Sequence, residues 1–247
     1  MAVPATKPLA SLPRLTCVND HADRRAHVRA MATNQPTDRT RRSLLRSVAA
    51  PGAALPRPAV TADGPRRGMA IDLARCTGCE ACAITCAQEN GTDPAAPRMV
   101  VAIHEIERDG GPRIALLPRL CQHCAEAPCI TACPVGASRR RRDGIVQVDA
   151  AICIGCGDCV RACPYAARAL DPRSGIADAC DFCAHRVDAG LLPACVEVCP
   201  GGALVFGNLN DPVSAANRLL AARPAQVLRP EANTAPLVFY VGLGTEG

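Results

Sequence analysis

Four closely spaced sets of cysteines constrain this chain more than any other feature of its sequence. Sixteen of the seventeen cysteines belong to these sets, and only Cys17 lies outside them. In the sets that begin at Cys76 and Cys153, two residues separate the first three cysteines and three residues precede the fourth. Three thiolates on one tight loop can bind one metal centre, whereas the fourth, at the start of a short helix, faces away from it. The sets are Cys76, Cys79, Cys82 and Cys86; Cys121, Cys124, Cys129 and Cys133; Cys153, Cys156, Cys159 and Cys163; and Cys180, Cys183, Cys195 and Cys199.

The chemistry of these thiolates leaves two metals open, because four cysteines suit zinc as well as iron. A loop with three regularly spaced cysteines favours one iron–sulfur cube over a zinc knuckle. Proline follows the last cysteine of three sets, at Pro134, Pro164 and Pro200, as in the bacterial ferredoxin run. Sixteen thiolates also provide four ligands for each of four cubes. The sequence therefore predicts four [4Fe–4S] clusters, with a zinc-binding structural module, or three-iron and mixed clusters, as alternatives.

Two of the sets depart from the simple ferredoxin run. Four residues separate the second and third cysteines of the set at Cys121, and eleven separate them in the set at Cys180. Alanine, not proline, follows Cys86. Four sets with these wider spacings in second and fourth place resemble the four-cluster iron–sulfur subunits of complex molybdopterin oxidoreductases. That family includes the electron-transfer subunits of dimethyl sulfoxide, polysulfide and tetrathionate reductases, and the resemblance extends over about residues 68–243.

Several shorter phrases most resemble the iron–sulfur subunits of tetrathionate reductases. The resemblance therefore implies a reductase of tetrathionate or a related sulfur compound. A subunit serving polysulfide, dimethyl sulfoxide or an arsenic oxyanion is the alternative. The phrases are Leu117-Pro118-Arg119-Leu120-Cys121, Asp143-Gly144-Ile145-Val146, the segment from Ala189 to Glu197, and the segment from Pro236 to Leu243.

The resemblance also implies which cysteines share a cluster. The fourth cysteine of each set crosses to another cluster, which connects the two outer sets to each other and the two inner sets to each other. The implied fold is α+β, with two nested ferredoxin-like [4Fe–4S] modules of short strands and helices, a β-hairpin insertion and an extended C-terminal tail. The implied ligands are Cys76, Cys79, Cys82 and Cys199 for cluster 1; Cys121, Cys124, Cys129 and Cys163 for cluster 2; Cys153, Cys156, Cys159 and Cys133 for cluster 3; and Cys180, Cys183, Cys195 and Cys86 for cluster 4.

A subunit of this kind passes electrons and is not itself an enzyme. The resemblance implies two partners, an integral membrane anchor that oxidises quinol and a molybdopterin catalytic subunit. No nucleophile–base or paired-carboxylate constellation stands out beside the cysteines. Because every cluster has a full cysteine complement, His104, His123 and His185 are predicted to lie at the surface or beside the clusters and not to bind iron. His123 and His185 lie inside cysteine loops and are candidates for tuning reduction potentials.

Two further features have a plain interpretation and a functional one. Gly78, Gly155 and Gly157 permit tight loops between ligands, and their backbone N–H groups are candidates for tuning cluster potentials. The run from Ser138 to Gly144 contains four consecutive arginines. We interpret this run as a solvated hairpin tip, with a contact to an acidic partner surface or to anionic lipid as the alternative.

Residues 1–62 form a leader that differs in composition from the rest of the chain. Ten basic and three acidic residues give it a charge of +7, whereas the remaining eighteen basic and twenty acidic residues balance to −2. The stretch from Thr40 to Arg46, TRRSLLR, precedes a mildly apolar region and is typical of a twin-arginine export signal. Val60-Thr61-Ala62 offers a small-residue cleavage site. We expect a start at Met31 and export, already folded, to the periplasmic face of the bacterial inner membrane; a disordered basic tail is the alternative.

The body is predicted to extend from 67 to 207, with an insertion over 88–120, followed by a helix and an extended tail over 208–247. Short strands are expected at Met69–Leu73 and Gly144–Asp149, each leading into a cysteine set. Two β-prone runs within the insertion, joined by a glycine-containing turn, predict a hairpin.

The segment after the body contains a helix signal and an apolar end. Asp211-Pro212 predicts a helix start that extends to about Ala222. The apolar stretch from Leu237 to Val241 predicts docking on another subunit, with packing on its own domain as the alternative. No run reaches the eighteen apolar residues of a membrane span, so attachment through a partner is expected. With no Trp, two Tyr and three Phe in a near-neutral body, the chain also lacks the signature of a nucleic-acid-binding protein.

Overall fold

The computed structural model describes residues 64–108 and 111–243, so the predicted leader lies outside the described residues. Short strands and short helices alternate along the chain, which places the described part in the predicted α+β class. The strands are β1 (Arg67–Asp72), β2 (Val100–Arg108), β3 (Gly111–Arg119), β4 (Ser138–Arg140), β5 (Val146–Val148), β6 (Ala169–Leu170), β7 (Ala177–Asp178), β8 (Leu204–Asn208), β9 (Ala225–Gln226) and β10 (Val238–Val241).

Most helices have only one or two turns, and several of them begin within a cysteine set. Among the described residues, no helix combines the length and the apolar character that crossing a membrane requires. The helices are α1 (Ala81–Asn90), α2 (Pro128–Thr131), α3 (Asp158–Arg161), α4 (Ala184–Asp188), α5 (Ala194–Glu197) and α6 (Ala215–Ala222), with single 3-10 turns at Leu73–Arg75 and Pro230–Ala232.

A four-stranded sheet with the order β8-β1-β10-β9 forms the centre of the fold. Strand β1 pairs antiparallel with β8 and parallel with β10, with Met69 opposite Val238 and Ile71 opposite Tyr240. All four of these side chains are fully buried. The C-terminal apolar stretch therefore packs on the chain's own domain, as the alternative interpretation states, and docking of the segment over 208–247 on another subunit stays a prediction. The consecutive apolar residues of that stretch lie in the middle of the chain's own sheet, where β10 pairs with β1 on one side and β9 on the other.

The core contains cysteines among its apolar side chains. One buried cluster surrounds the central sheet and includes Cys82, Cys86 and Cys195. A second packs Cys129 and Cys159 against aliphatic and tyrosine side chains. Few aromatic residues are available, so the cysteines occupy much of the interior, and whatever they bind becomes part of the core.

The insertion forms the long antiparallel pair β2–β3. Its inner face buries Ala115 and Leu117, whereas Ile103 and Ile114 on the outer face are each 72% exposed. Leu116 packs on the loop of the first cysteine set, where a Cβ added at Gly78 would lie 2.9 Å from its Cδ1. The hairpin thus covers that set with its base and extends an apolar outer face into solvent.

The arginine run lies on the small β4–β5 hairpin, and several of its charges are paired within the chain. Arg139 forms an ion pair with Asp149 at 3.0 Å, and Arg141 forms ion pairs with Asp143 and Asp188. Arg140 Nη2 donates to the backbone carbonyl of Cys124 at 2.8 Å. The run therefore ties the hairpin to its surroundings, which neither of the sequence-based interpretations anticipated.

Helix α6 begins later than Asp211-Pro212 predicts. Its N-cap is Ser214, whose Oγ accepts from the Asn217 backbone N–H at 3.3 Å. Asp211 instead accepts from the Val213 N–H at 3.0 Å and closes a turn before the helix. Both residues are good cap formers, and the second one caps the helix because the turn at Asp211 first redirects the chain.

Candidate metal centres

Three pockets in the described structure are each lined by four cysteines from two different sets. In the order in which they are named below, the space within them, including solvent at the open side, is about 340, 300 and 290 Å³. In every pocket, three cysteines belong to one set and the fourth is the last cysteine of another set. We name them site 1 (Cys76, Cys79, Cys82 and Cys199), site 2 (Cys121, Cys124, Cys129 and Cys163) and site 3 (Cys133, Cys153, Cys156 and Cys159).

The remaining four cysteines also come together. Asn90 Nδ2 lies 3.7 Å from the Sγ atoms of both Cys86 and Cys183. The Cys195 thiol interacts electrostatically with those same two cysteines, and the Cys180 thiol with Cys195 and Cys86. We name this group site 4 (Cys86, Cys180, Cys183 and Cys195). Here, too, the last cysteine of one set joins the first three of another.

Short helices explain why the last cysteine of each set crosses to a neighbouring site. Cys82 and Cys86 both lie in α1, four residues apart. Four residues advance an α-helix by about 6 Å along its axis. One thiol therefore faces site 1 and the next faces site 4. The same spacing recurs at α2, α3 and α5, so two helices connect sites 1 and 4 and two others connect sites 2 and 3.

Some thiols of different sites are near enough to interact electrostatically, and these pairs connect the four sites in series. The Cys195 thiol of site 4 interacts with Cys82 of site 1. The Cys180 thiol of site 4 interacts with Cys121 of site 2, and Cys129 of site 2 interacts with Cys159 of site 3. The order is site 1, site 4, site 2, site 3.

The exposure of the cysteines differs between the ends and the middle of this row. Cys79 of site 1 and Cys156 of site 3 are exposed, whereas every cysteine of site 4 is buried and only Cys163 of site 2 is partly exposed. The row thus has two ends that reach the protein surface and a buried middle.

The ligand loops use glycine where the backbone requires it. Gly155 has φ +67°, and a Cβ added there would lie 2.4 Å from the carbonyl oxygen of Gly175. A side chain would therefore meet both an unfavourable backbone conformation and an immovable backbone atom. Turn geometry accounts for this glycine.

The buried thiols are suited to binding a cationic centre. Burial raises the pKa of the Cys82 and Cys86 thiols to about 11, and that of Cys121 to about 12. Burial also raises the pKa of the Cys180 thiol well above its usual value. Since the thiolate is the metal ligand, buried thiols with a raised pKa are stable as thiolates only beside positively charged metal. The donor set thus fits an iron–sulfur cluster.

Backbone amides point at several of the sulfurs. The N–H groups of Ser138, Phe182 and Ala203 donate to Cys133, Cys180 and Cys199, at N···Sγ distances of 3.5, 3.4 and 3.3 Å. Backbone hydrogen bonds, the Ser138 bond foremost, lower the pKa of the Cys133 thiol. Such bonds stabilise negative charge on a ligand sulfur and raise a cluster's reduction potential.

Single-ion geometry is not found at these pockets. Within the described ranges, no group of three or more His, Cys, Asp or Glu side chains is arranged to hold one metal ion. A single zinc ion places its sulfur ligands about 2.3 Å from one point. Each of the three pockets is instead lined by four cysteines from two sets, a donor set that fits a cluster bound by four thiolates.

The three histidines occupy different environments. His123 is fully buried and stacks on Phe182 with ring centroids 3.6 Å apart. Its Nδ1 accepts from the Val146 N–H at 3.0 Å, and its Nε2 has no hydrogen-bond partner in the described structure. His185 is a surface residue paired with Glu89 at 2.7 Å, and His104 is exposed on the hairpin. Of the two histidines proposed to tune potentials, only His123 lies in the interior.

Three polar residues beside the sites were missed by sequence reasoning. They are Asn90, Arg98 and Arg168, and each approaches its cysteines from outside the ligand loops. In a chain with abundant arginine, nothing in the sequence distinguishes Arg98 or Arg168 from the others. Their positions result from tertiary packing alone.

Comparison with known proteins identifies a cofactor-binding domain. A family model described as a 4Fe–4S dicluster domain matches residues 112–209. That segment contains twelve of the sixteen cysteines of the four sets.

Three relatives show what the chain resembles over most of its length. It is 50% identical to the B subunit of tetrathionate reductase from Salmonella typhimurium over 182 residues, which cover 72% of this chain and 73% of the relative. It is 46% identical to the thiosulfate reductase electron transfer subunit PhsB of Salmonella typhi, covering 58% and 76% of the two proteins. It is 39% identical to the B chain of polysulfide reductase from Wolinella succinogenes, covering 70% and 93%.

Proposed function

This chain belongs to the family of iron–sulfur electron-transfer subunits of reductase complexes, and we propose that it conducts electrons between a membrane anchor that oxidises quinol and a molybdopterin catalytic subunit. It is an electron-transfer subunit and not the catalytic one, and its sixteen grouped cysteines fit four [4Fe–4S] clusters. The observation that carries the proposal is the row of four-cysteine sites with both ends at the surface.

The proposed ligands of the four clusters are the cysteines of sites 1 to 4. The crossed pairing is supported by three pockets whose linings combine three cysteines of one set with the last cysteine of another. It makes two nested ferredoxin-like modules, an outer one with sites 1 and 4 and an inner one with sites 2 and 3. The body over 67–207 contains all sixteen ligands.

The protein's own residues hold, insulate and tune the carriers. Bound clusters supply one-electron carriers whose potentials span about −700 to +450 mV, depending on hydrogen bonding, charge and burial. The buried cysteines of site 4 exclude water from the middle of the row. Amide donors such as the Phe182 N–H stabilise charge on ligand sulfurs. Neighbouring helices α1 and α5 keep sites 1 and 4 in a fixed relation.

The proposed substrate of the complex is tetrathionate or a related sulfur compound, in anaerobic respiration. Support comes from the 50% identity to a tetrathionate reductase subunit, with thiosulfate and polysulfide reductase subunits also similar. Co-purification with the catalytic partner, followed by reduction assays with tetrathionate, thiosulfate and polysulfide, tests the assignment. A complex that reduces none of these sulfur compounds would contradict it.

The proposed location is the periplasmic face of the inner membrane, reached by twin-arginine export of the folded protein. The motif from Thr40 to Arg46 supports this proposal. Replacing Arg41 and Arg42 by lysine is expected to keep the cluster-loaded protein in the cytoplasm. Unchanged periplasmic protein in that double variant would rule out this route.

The central test is the metal content of the purified chain. We expect a brown protein with a broad absorption near 400 nm, about sixteen irons and an equal amount of acid-labile sulfide. The zinc alternative predicts a colourless protein with about four zinc ions. The two results cannot be confused, so one anaerobic purification decides between the electron-transfer and structural functions.

A further inference from the structure

Arg168 is a buried cation at the boundary between sites 2 and 3. Its residue exposure is 5%, and its side chain lines the pocket of site 2. The thiolates of Cys129, Cys121 and Cys159 interact with it electrostatically. Two of these cysteines belong to site 2 and the third belongs to site 3. The guanidinium thus faces the inner pair of sites.

The hydrogen bonding of Arg168 is incomplete. Nη1 donates to Ser138 Oγ at 2.9 Å, while Nε and Nη2 are buried without a partner. Among the described residues, no carboxylate forms an ion pair with it. A buried arginine with unmet donors is costly unless an anionic group completes its surroundings. The acceptor that fits is the sulfur-rich, negatively charged group that site 2 is built to hold.

No carboxylate is among the described residues that line the pocket of site 2. The guanidinium of arginine stays protonated in proteins. Arg168 therefore contributes a full, permanent positive charge to site 2.

Site 4, the other buried site, also has an arginine beside it, but that arginine is paired with carboxylates. Arg98 lies beside Cys86 and Cys180. It is paired with Asp178 at 2.8 Å and with Asp181 at 3.1 Å. The guanidinium beside site 4 is therefore neutralised by two carboxylates, whereas the guanidinium beside site 2 has none in the described structure.

We infer that Arg168 sets the reduction potential of the cluster at site 2 and holds it above that of the cluster at site 4. Reduction adds one electron to the buried site, and the guanidinium stabilises that added charge with little screening by water. Electrons arriving from either end therefore settle at site 2 before site 4. The inference rests on the proposed function and on the ligand grouping of sites 2 and 4.

The test is an anaerobic redox titration of the full cluster-loaded chain, followed by electron paramagnetic resonance. Signals are assigned with the ligand variants Cys124→Ser for site 2 and Cys195→Ser for site 4. In Arg168→Gln, the reduction equilibrium of site 2 is expected to fall at least tenfold, which for one electron is about 59 mV. A smaller fall is expected at site 3, since Cys159 is also close.

Two further variants separate charge from structure. Arg168→Lys keeps the charge. The reduction equilibrium constant of site 2 in this variant is expected to stay within threefold of the value in the parent protein. Arg161→Gln removes a surface charge whose side chain is 70% exposed. It is expected to change the reduction equilibrium constant of no site by more than threefold. An unmoved site 2 midpoint in Arg168→Gln, or an equal fall in Arg168→Lys, overturns the inference.

The parent protein provides a test that needs no Arg168 variant. If Arg168→Gln fails to assemble, the midpoint potentials of sites 2 and 4 in the parent protein still test the inference. A site 2 potential at or below that of site 4 overturns it. The proposed function fails in a different way. A chain without iron and sulfide refutes it, whereas a loaded chain with the wrong order of midpoints refutes only the role of Arg168.

Discussion

The two buried sites differ in how the protein handles the arginine beside each of them. At site 4, Arg98 is held by two carboxylates and by Asn90, whose Oδ1 accepts from Nη1 at 2.9 Å. That bond directs the amide Nδ2 toward the ligand sulfurs. At site 2, Arg168 has a serine hydroxyl and no carboxylate. The same residue type is therefore part of a structural network at one site and an uncompensated charge at the other.

The difference shows that the effect of a buried arginine depends on the groups with which it is paired. Arg98 joins the segment before β2 to Asp178 of β7 and to the ligand loop after it. Removing it would leave two carboxylates unpaired beside thiolates. Removing Arg168 would leave no unpaired carboxylate in the described structure, so its loss acts mainly on the cluster.

Removal of iron is expected to unfold the chain and thereby to eliminate sites 2 and 4. Binding energy is folding energy where a site does not exist in the unfolded chain, and buried thiols from all four sets line the core. The chelated chain should show no cooperative thermal transition by circular dichroism. The loaded chain in the same buffer is the control, and a native-like transition without iron would contradict the prediction.

Substituting the crossing ligands should separate the two buried sites. Cys163→Ser is expected to damage site 2 although Cys163 follows the loop of site 3, and Cys86→Ser should damage site 4. Each variant should lose about one cluster of four, that is about a quarter of its iron. Iron analysis and paramagnetic resonance give the measurement. Loss of the site 3 signal with site 2 intact in Cys163→Ser would mean that the fourth ligands do not cross.

Arg98→Gln is expected to lower the free energy of unfolding, because it leaves Asp178 and Asp181 without their guanidinium. Hydrogen bonds to charged groups are worth about 1.5–3 kcal/mol, and a loss of about 2 kcal/mol lowers the melting temperature of a domain this size by about 4–8 °C. Arg139→Gln, which breaks a more exposed pair with Asp149, is the matched control and should cost less than about 1 kcal/mol. Equal melting temperatures for the two variants would show that the Arg98 network is not structural.

Asn90→Leu is expected to have the smallest effect. It removes the amide that lies 3.7 Å from two ligand sulfurs of site 4, so the reduction equilibrium of that site should fall by about two- to threefold. Redox titration measures it, with site 2 as the internal reference. A fall at site 2 as large as that at site 4 would assign the change to a general loss of packing.

The spacing of residues in the sequence was sufficient to predict the features that depend on neighbouring residues. The strands at β1 and β5 lie where alternation predicts them, and the sets that begin at Cys76 and Cys153 form tight loops. The grouping of Cys163 with the set at Cys121 was implied by resemblance to a family, and the lining of the site 2 pocket agrees with it. Local propensity cannot give this grouping, because it joins residues more than thirty positions apart.

Sequence by itself determined the number of cysteines and the membership of the four sets, because these follow from residue type and short spacing, while the α+β class came from the family resemblance. Tertiary structure alone decided that β10 completes the central sheet, that most of the arginine run is paired within the chain, and that Arg98 has carboxylates while Arg168 has none. Every arginine carries the same charge in the sequence. Its effect on a buried cluster is fixed only when folding selects its counter-ions and removes water.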